Sequence, residues 1–112
     1  GIVAAGNNQT DVQILQKWEL PDVLREVSGI AYLGDNRFAC VQDEEGTIFI
    51  YNTQTAKIEK QIPFAGPGDY EGLTLVGETA YVVRSDGRLY EVQNFTKYIA
   101  MRSCGAMQRI WK

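Results

Sequence analysis

The sequence of 112 residues predicts an all-β fold, and three observations support this class. Short runs rich in β-branched and aromatic residues recur along the chain, as is typical of strands. Clusters of Gly, Asp and Asn separate these runs and supply turn chemistry. Helical periodicity is weak everywhere except over residues 21–27, "PDVLREV", where we expect one helical turn. The pattern therefore favours antiparallel strands joined by tight turns.

An internal repeat orders these runs. Residues 28–52 align with residues 71–93 when the second segment is placed 43 positions after the first. This spacing matches Gly29 with Gly72, Ile30 with Leu73, Gly34 with Gly77, Phe38 with Tyr81 and Asp43 with Asp86. After a two-residue deletion, a spacing of 41 matches Gly46 with Gly87, Ile48 with Leu89 and Phe49 with Tyr90. A repeat of this period predicts the blades of a β-propeller.

Each repeat is predicted to form one blade, an antiparallel meander of four strands, so that the chain is a partial propeller. Residues 97–103, "KYIAMRS", are the candidate fourth strand of the second blade. Before the first blade, residues 12–20 alternate apolar and polar side chains and predict a leading strand that ends at Pro21. The expected order is an N-terminal extension (1–11), the leading strand (12–20), two blades (near 28–64 and 71–103) and a C-terminal tail (104–112).

The charge and hydropathy of the chain argue against two kinds of partner, nucleic acid and the membrane interior. The net charge is −3, and all fourteen acidic residues lie between Asp11 and Glu91. An acidic body offers no electrostatic footprint for nucleic acid, so no nucleic-acid partner is expected. No apolar run reaches the roughly 18 residues that a membrane-spanning helix needs, so no transmembrane segment is expected. The chain begins with Gly1 rather than Met, which fits either a removed leader or a trimmed sequence.

The residue types also limit the chemistry. The chain has no histidine, which excludes Ser-His and Cys-His nucleophiles and imidazole metal sites. Any bound metal is expected to be held by oxygen atoms, and calcium is the ion that fits best. Two cysteines are too few for a disulfide framework. Cys40 lies inside the apolar run "RFACV" and is predicted to be a small buried hydrophobic residue.

Two carboxylates precede the first strand of the second repeat, in the stretch "GDYEGLTL". Regular alternation would place the side chains of Asp69 and Glu71 on the same face. Glu71 aligns with Ser28, at the start of a strand that would line the central channel of a propeller. Carboxylates that converge in such a channel favour Ca²⁺, which takes six to eight oxygen ligands. Two structural alternatives stay open: Asp69 accepts N–H groups in an Asx-turn, and Glu71 pairs with Arg84, Arg88 or another basic residue.

The other candidate residues have simpler interpretations. Asp43, Glu44 and Glu45 lack the spacing of an EF-hand and are interpreted as a solvated turn. Six aromatic residues recur at strand positions and are interpreted as packing between blades: Tyr32, Phe38, Phe49, Tyr51, Tyr81 and Tyr90.

Residues 18–92 resemble the SdiA-regulated proteins. The resemblance rests on the "SGI" start at Ser28, the "D-x-EG" start at Asp69 and the "QDEEG" turn at Gln42. Those proteins are bacterial envelope or secreted β-propellers, related more distantly to esterase-like phytase propellers and to NHL-repeat and SMP-30-like sheets. The resemblance implies a secreted or envelope location and a metal role for Glu71, with Asp69 as a second ligand. Members of the family are normally longer and close a full ring.

Three functions are open at this point. The first, which we favour, is a noncatalytic envelope-associated propeller that binds a small ligand or a partner, with or without calcium. The second is a metal-dependent hydrolase of phosphate or carboxylate esters, as the phytase-like relatives imply. Such an enzyme needs a metal with an open position and a nearby base, for which Asp69, Glu71 and Asp86 are the candidates. The third is an inactive fragment of a longer propeller.

Two blades leave two sheet faces without a neighbour. These faces are expected to carry residues such as Ile30, Phe38, Ile48, Leu73, Tyr81 and Leu89. Cyclic self-association would cover both faces, and three copies would give a six-bladed ring, which we favour over four copies. The leading strand would then complete a blade of the adjacent copy. An irregular, strand-swapped oligomer is the alternative.

Overall fold

The computed structural model of the chain describes residues 11–95, which form two antiparallel β-sheets. The first sheet contains four strands in sequential order: β1 (Val27–Gly34), β2 (Arg37–Gln42), β3 (Thr47–Asn52) and β4 (Lys57–Pro63). The second contains three: β5 (Tyr70–Val76), β6 (Thr79–Arg84) and β7 (Leu89–Gln93). The predicted all-β class is confirmed, and the two meanders agree with two blades of a partial propeller.

Outside the strands, the expected helical turn is present as a short 3-10 turn at Asp22–Leu24. The candidate fourth strand of the second blade, at 97–103, lies outside the described residues, as do residues 1–10 and the tail at 104–112. Within residues 11–95 there is no helix long and apolar enough to cross a membrane.

The predicted leading strand is wrong for the isolated chain. Residues 12–20 have no assigned secondary structure, and the side chains of Val12, Ile14 and Leu15 are 79%, 86% and 89% exposed. Alternation can mark a segment as suited to a sheet, but a strand forms only where a second strand supplies hydrogen-bond partners. No described strand pairs with this segment. Two contacts at its end hold it near the first sheet: the indole Nε1–H of Trp18 donates to the carbonyl oxygen of Thr53 at 2.8 Å, and Leu20 packs against the apolar cluster around Phe49.

The two faces of the first sheet belong to two apolar clusters. We call the front face the one that carries Phe38, Cys40, Phe49 and Tyr51, which pack under Leu20, Val23 and Leu24. The back face carries Ala39, Val41, Ile48 and Ile50, which pack against the second sheet. All six residues of β3 are buried, since this strand contributes to both clusters. The front face of the second sheet, which carries Leu73, Leu75, Ala80, Val82 and Tyr90, meets the back face of the first.

The start of each repeat confirms the spacing of 43 residues. Strand pairing shifts by one residue between Val27 and Gly29 in β1, and between Tyr70 and Gly72 in β5. Both sheets therefore have a β-bulge at the aligned position, at the start of their first strand. Beyond the bulge the pairing is regular for several residues. The two glycines also touch: a Cβ added to Gly29 would lie 3.0 Å from the Cα of Gly72. The predicted equivalence of the three-stranded units β1–β2–β3 and β5–β6–β7 is confirmed in their topology.

The second strands align differently from the sequence-based prediction. Tyr32 pairs with Phe38, whereas Leu75, the counterpart of Tyr32, pairs with Ala80. Phe38 therefore corresponds to Ala80, and its predicted match with Tyr81 is wrong. The cause is a second register shift in the first hairpin, between Tyr32 and Gly34, that the second hairpin lacks. A shift of one residue moves a side chain to the opposite face of a sheet.

Cys40 provides a test of the packing of the front face. Its side chain is fully buried, as predicted, and burial raises the pKa of its thiol to about 12. Since the thiolate is the reactive form, we expect the Cys104→Ser variant to react with a disulfide reagent only as fast as the protein unfolds. Denaturant should restore the rate of a free thiol, and the Cys40→Ala variant reports the second thiol separately. Rapid labelling of native Cys104→Ser protein would contradict the burial of Cys40.

Candidate functional site

The predicted acidic pair lies at the bulge that opens β5. Glu71 is the bulged residue, and both Asp69 and Glu71 are exposed. The bulge interrupts the alternation from which a shared face was predicted. The backbone here is well fixed: the Ser28 hydroxyl donates to the carbonyl oxygen of Tyr70 at 2.6 Å, and the Ser85 N–H donates to the carbonyl oxygen of Asp69 at 2.9 Å. The backbone of Asp69 thus joins β5 to the β6–β7 turn.

A different group of carboxylates converges in the first repeat. Oxygen atoms of Glu26, Asp43 and Glu44 all lie within 4.8 Å of one another, so these residues form an acidic cluster. Asp43 and Glu44 were interpreted as parts of a solvated turn, and Glu26 was not singled out. The side chain of Gln42 orders this turn, because its Oε1 accepts the N–H groups of Glu44 and Glu45 at 2.7 and 2.6 Å.

A signal for Glu26 was present in the sequence. It precedes the bulged residue Ser28 by two positions, as Asp69 precedes Glu71. Each repeat therefore has an acid immediately before its first strand. A hydrogen bond between Glu26 and Asp43 is the largest cause that raises the pKa of Glu26, and the charges of Asp43 and Glu44 add to it.

The equivalent turn of the second repeat carries arginine. Asp86 forms ion pairs with Arg84 Nε at 3.4 Å and with Arg88 Nη1 at 3.2 Å. Arg84 also lies over the ring of Tyr70, 5.9 Å from its centroid. Its hydrogen bond with Tyr90 is the main cause that lowers the pKa of that phenol. The two blades thus differ in charge at the same turn, which is acidic in the first blade and charge-balanced in the second.

The described residues fit the predicted calcium site only in part. Calcium takes six to eight oxygen ligands. Asp69 and Glu71 do not belong to the one group of three carboxylates found within residues 11–95. The roles of Asp69 and Glu71 as metal ligands stay predictions of the sequence. The acidic cluster has the right donor atoms, but exposed carboxylates gather in many proteins without binding an ion.

A shallow apolar groove lies on the back face of the second sheet. It has a volume of about 220 Å³ and is lined by Gly72, Leu73, Thr74, Tyr81, Val83 and Leu89. Val83 is 39% exposed and Leu89 is 65% exposed. A second groove of about 330 Å³, beside Trp18, is lined by polar side chains of the amide and hydroxyl types: Gln16, Asn36, Thr53 and Gln54. The apolar groove has a buried counterpart in the first repeat.

The back faces of the two sheets can be compared position by position. Strand pairing makes Val83 the counterpart of Val41, and Leu89 the counterpart of Ile48. Val41 and Ile48 are fully buried because the second sheet covers them. Their counterparts have no cover within residues 11–95, so this back face is open there; it is apolar at Val83 and Leu89, and it also carries Thr74 and Glu91. Comparison with protein-family models, with curated proteins and with solved structures found no match to this chain.

The acidic cluster makes a prediction about pH. The pKa of Glu26 is raised in the folded protein, so folding favours the protonated form of its carboxyl group. The contribution of this group to the free energy of unfolding is complete below the ordinary pKa of 4.5 and is lost as pH rises through the raised pKa. We expect Glu26→Gln to have a higher melting temperature than the wild type at neutral pH, with the difference vanishing in acid. Glu78→Gln, at the opposite end of β5, is the control and should change little. A lower melting temperature for Glu26→Gln at neutral pH would show that the cluster stabilises the fold.

Proposed function

We propose that this chain is a noncatalytic binding module of the β-propeller type, which binds its partner through the open back face of the second sheet. The observation that carries the proposal is the contrast between equivalent residues. Ile48 is fully buried, whereas Leu89, at the same position in the second blade, is 65% exposed. Burial of a side chain of this size stabilises a contact by about 1.5–3 kcal/mol, so a covered back face would be strongly favoured.

The shape of the open face also favours a flat partner. Thr74 and Tyr81 face each other across β5 and β6, and Val83 pairs with Leu89 across β6 and β7. The surface is therefore a regular sheet face with one shallow depression at Gly72. A second sheet or another flat apolar surface fits it better than a small polar ligand does.

The wider setting follows the sequence resemblance. For the family, we propose a propeller of the SdiA-regulated type. For the location, we propose the cell envelope or the outside of the cell. The hydrolase is the weaker candidate. Asp69 and Glu71 are both exposed, and the bulge interrupts the alternation that would place their side chains on one face. Catalysis at this place predicts turnover of a simple phosphate or carboxylate ester that Glu71→Gln abolishes, which would overturn the noncatalytic proposal.

Binding at the open face can be measured with the apolar dye ANS in dilute protein. We expect the wild-type chain to bind the dye, and Val83→Glu together with Leu89→Glu to abolish binding while the far-ultraviolet circular dichroism is kept. Ile14→Glu, which places the same charge at an exposed apolar residue far from the sheet face, is the control and should bind as the wild type does. Dye binding that survives the double substitution would place the apolar site elsewhere.

Calcium binding is proposed separately and has its own test. Titration calorimetry with CaCl₂ should give heat with the wild type and less heat with Glu71→Gln. The same titration of Glu26→Gln separates the acidic cluster from the predicted pair. Equal heats in the wild type and Glu71→Gln would remove Glu71 as a ligand, and a preference for Zn²⁺ over Ca²⁺ would contradict an oxygen-ligated site.

A further inference from the structure

We propose that the partner is a second copy of this chain, docked head to tail, with the front face of its first sheet on the open back face of the second sheet and its residues 12–20 paired along the edge of β7 that has no partner strand within residues 11–95. This inference rests on the proposed binding function and names its partner. It follows from an interface that the chain already contains between its own blades.

The contact between the two blades shows what a back face accepts. The back face of the first sheet is covered by the front face of the second, where Leu73 and Leu75 pack against the shared cluster. Strand pairing makes Ile30 and Tyr32 the counterparts of Leu73 and Leu75 in the first sheet. Ile30 and Tyr32 are 52% and 59% exposed. One chain therefore carries both halves of a blade-to-blade interface, and within residues 11–95 Ile30 and Tyr32 on one half and Val83 and Leu89 on the other stay exposed.

Glycine marks where the neighbouring strand lies. At Gly29 on the first blade, an added Cβ would approach Leu73 N to 2.7 Å and Gly72 C to 2.9 Å, so the adjacent blade occupies the space a side chain would take. At the equivalent Gly72, an added Cβ would meet only Val83 Cγ1, at 3.3 Å. Glycine within a strand is less stable than alanine, because it loses more conformational freedom on folding. Nothing described in the chain uses the space at Gly72, whereas a docked first strand would.

The segment before β1 leaves room for this docking. Residues 64–69 lead from β4 into β5, and their Phe64 and Ala65 pack within the contact between the blades. Residues 21–26 precede β1 in the same way, and Val23 and Leu24 pack on the front face of the first sheet. Both linkers therefore cover the same part of a front face. The part that stays exposed in the first sheet, at Ile30 and Tyr32, is the part that the first strand of the next blade would contact.

Residues 12–20 then take the role of an outer strand. They precede their linker as β4 precedes residues 64–69. In the first sheet β3 pairs with β4, but its counterpart β7 pairs only with β6 among the described residues. A second copy that docks on the back face brings its own exposed Val12, Ile14 and Leu15 next to this edge. Pairing there would satisfy backbone groups that the edge leaves open.

Head-to-tail contacts either close into a ring or extend into a filament. A closed ring of three copies would contain six blades, whereas a filament has no fixed number of copies. The number of copies is read directly from the mass of the assembly.

Sedimentation equilibrium of the full chain over micromolar concentrations tests the inference. We expect the wild type to form a species of several chain masses. Gly72→Ala, which fills the proposed seat, and Tyr32→Glu, which charges the opposite face, should each weaken association at least tenfold while keeping the circular dichroism of the wild type. Gly66→Ala, a glycine with open space around it, is the matched control and should associate normally.

Mixing the two variants separates a head-to-tail contact from a symmetric one. Gly72→Ala retains a sound front face and Tyr32→Glu a sound back face, so an equal mixture should form a heterodimer and nothing larger. If the open back faces pair with each other, Tyr32→Glu will associate as the wild type does, and the inference is overturned. A wild-type monomer that still binds ANS would also overturn it while leaving the binding function intact. A monomer that does not bind ANS would remove both.

Discussion

Gly29→Ala is expected to lower the free energy of unfolding by about 3 kcal/mol, because the added methyl group has no space between the two blades. Its Cβ would lie 2.7 Å from Leu73 N and 2.9 Å from Gly72 C. These atoms are backbone, so no side-chain rotation relieves the overlap. The first strands of the two sheets must move apart, which opens the apolar cluster between the blades. Urea unfolding followed by circular dichroism, in protein dilute enough to be monomeric, measures the loss.

The matched control for this prediction is Gly66→Ala. Gly66 lies in the linker between β4 and β5, where an added Cβ has no atom within 4 Å. We expect its free energy of unfolding to stay within about 0.5 kcal/mol of the wild type. A loss below about 1 kcal/mol for Gly29→Ala would mean that the blades can separate at little cost, and the stacked arrangement would no longer serve as the template for docking.

The strands could be predicted from sequence wherever turn residues bound an apolar run on both sides. The runs "RFACVQ" and "TIFIYN", each bounded by turn residues, coincide with β2 and β3. The leading strand at 12–20 failed for a physical reason: alternation describes the two faces of a segment, while pairing requires a free edge beside it. The position of such an edge depends on which sheet lies nearby, and the periodicity of one segment does not encode it.

The register of β6 shows a second limit. Phe38 and Tyr81 match well by residue type, whereas the structural counterpart of Phe38 is Ala80. One extra residue in the first hairpin causes the difference, and an alignment by similarity prefers two aromatic residues to Phe and Ala. The error reverses the face assigned to Tyr81, and with it the content of the open back face. The apolar groove could therefore not be derived from the repeat alone.

For the candidate acidic residues, too, the sequence predicted one part of the arrangement and not the other. The repeat shows that an acid, Glu26 or Asp69, precedes each bulge. Which side chains lie near that acid depends on the turn that follows β2 or β6. In the first blade Glu26 meets Asp43 and Glu44. In the second, Arg84 and Arg88 hold Asp86 instead. The spacing of the repeat predicted where in each blade a carboxylate lies. Only the fold showed which carboxylates lie close together.

The largest loss from a single substitution is expected at Phe49. Its ring is fully buried at the centre of the first sheet, where β3 pairs with Cys40 on one side and Gln61 on the other. It packs in the front-face cluster with Leu24, Cys40 and Tyr51. Neighbours on both strands and the 3-10 turn above limit how far the cavity can collapse. Phe49→Ala should therefore lower the free energy of unfolding by about 3–5 kcal/mol.

This loss approaches the whole stability of a small domain, so a milder variant keeps the prediction measurable. Phe49→Leu preserves most of the apolar volume and is expected to cost about 1–2 kcal/mol, with an unchanged dependence of the free energy on urea. Val76→Ala removes apolar atoms from a side chain that is 63% exposed and should cost less than about 0.5 kcal/mol. Equal losses at positions 49 and 76 would contradict the front-face cluster. A graded series, in which Phe49→Ala exceeds Phe49→Leu and Val76→Ala stays near the wild type, is the expected result, because the cost follows the volume removed from a packed interior.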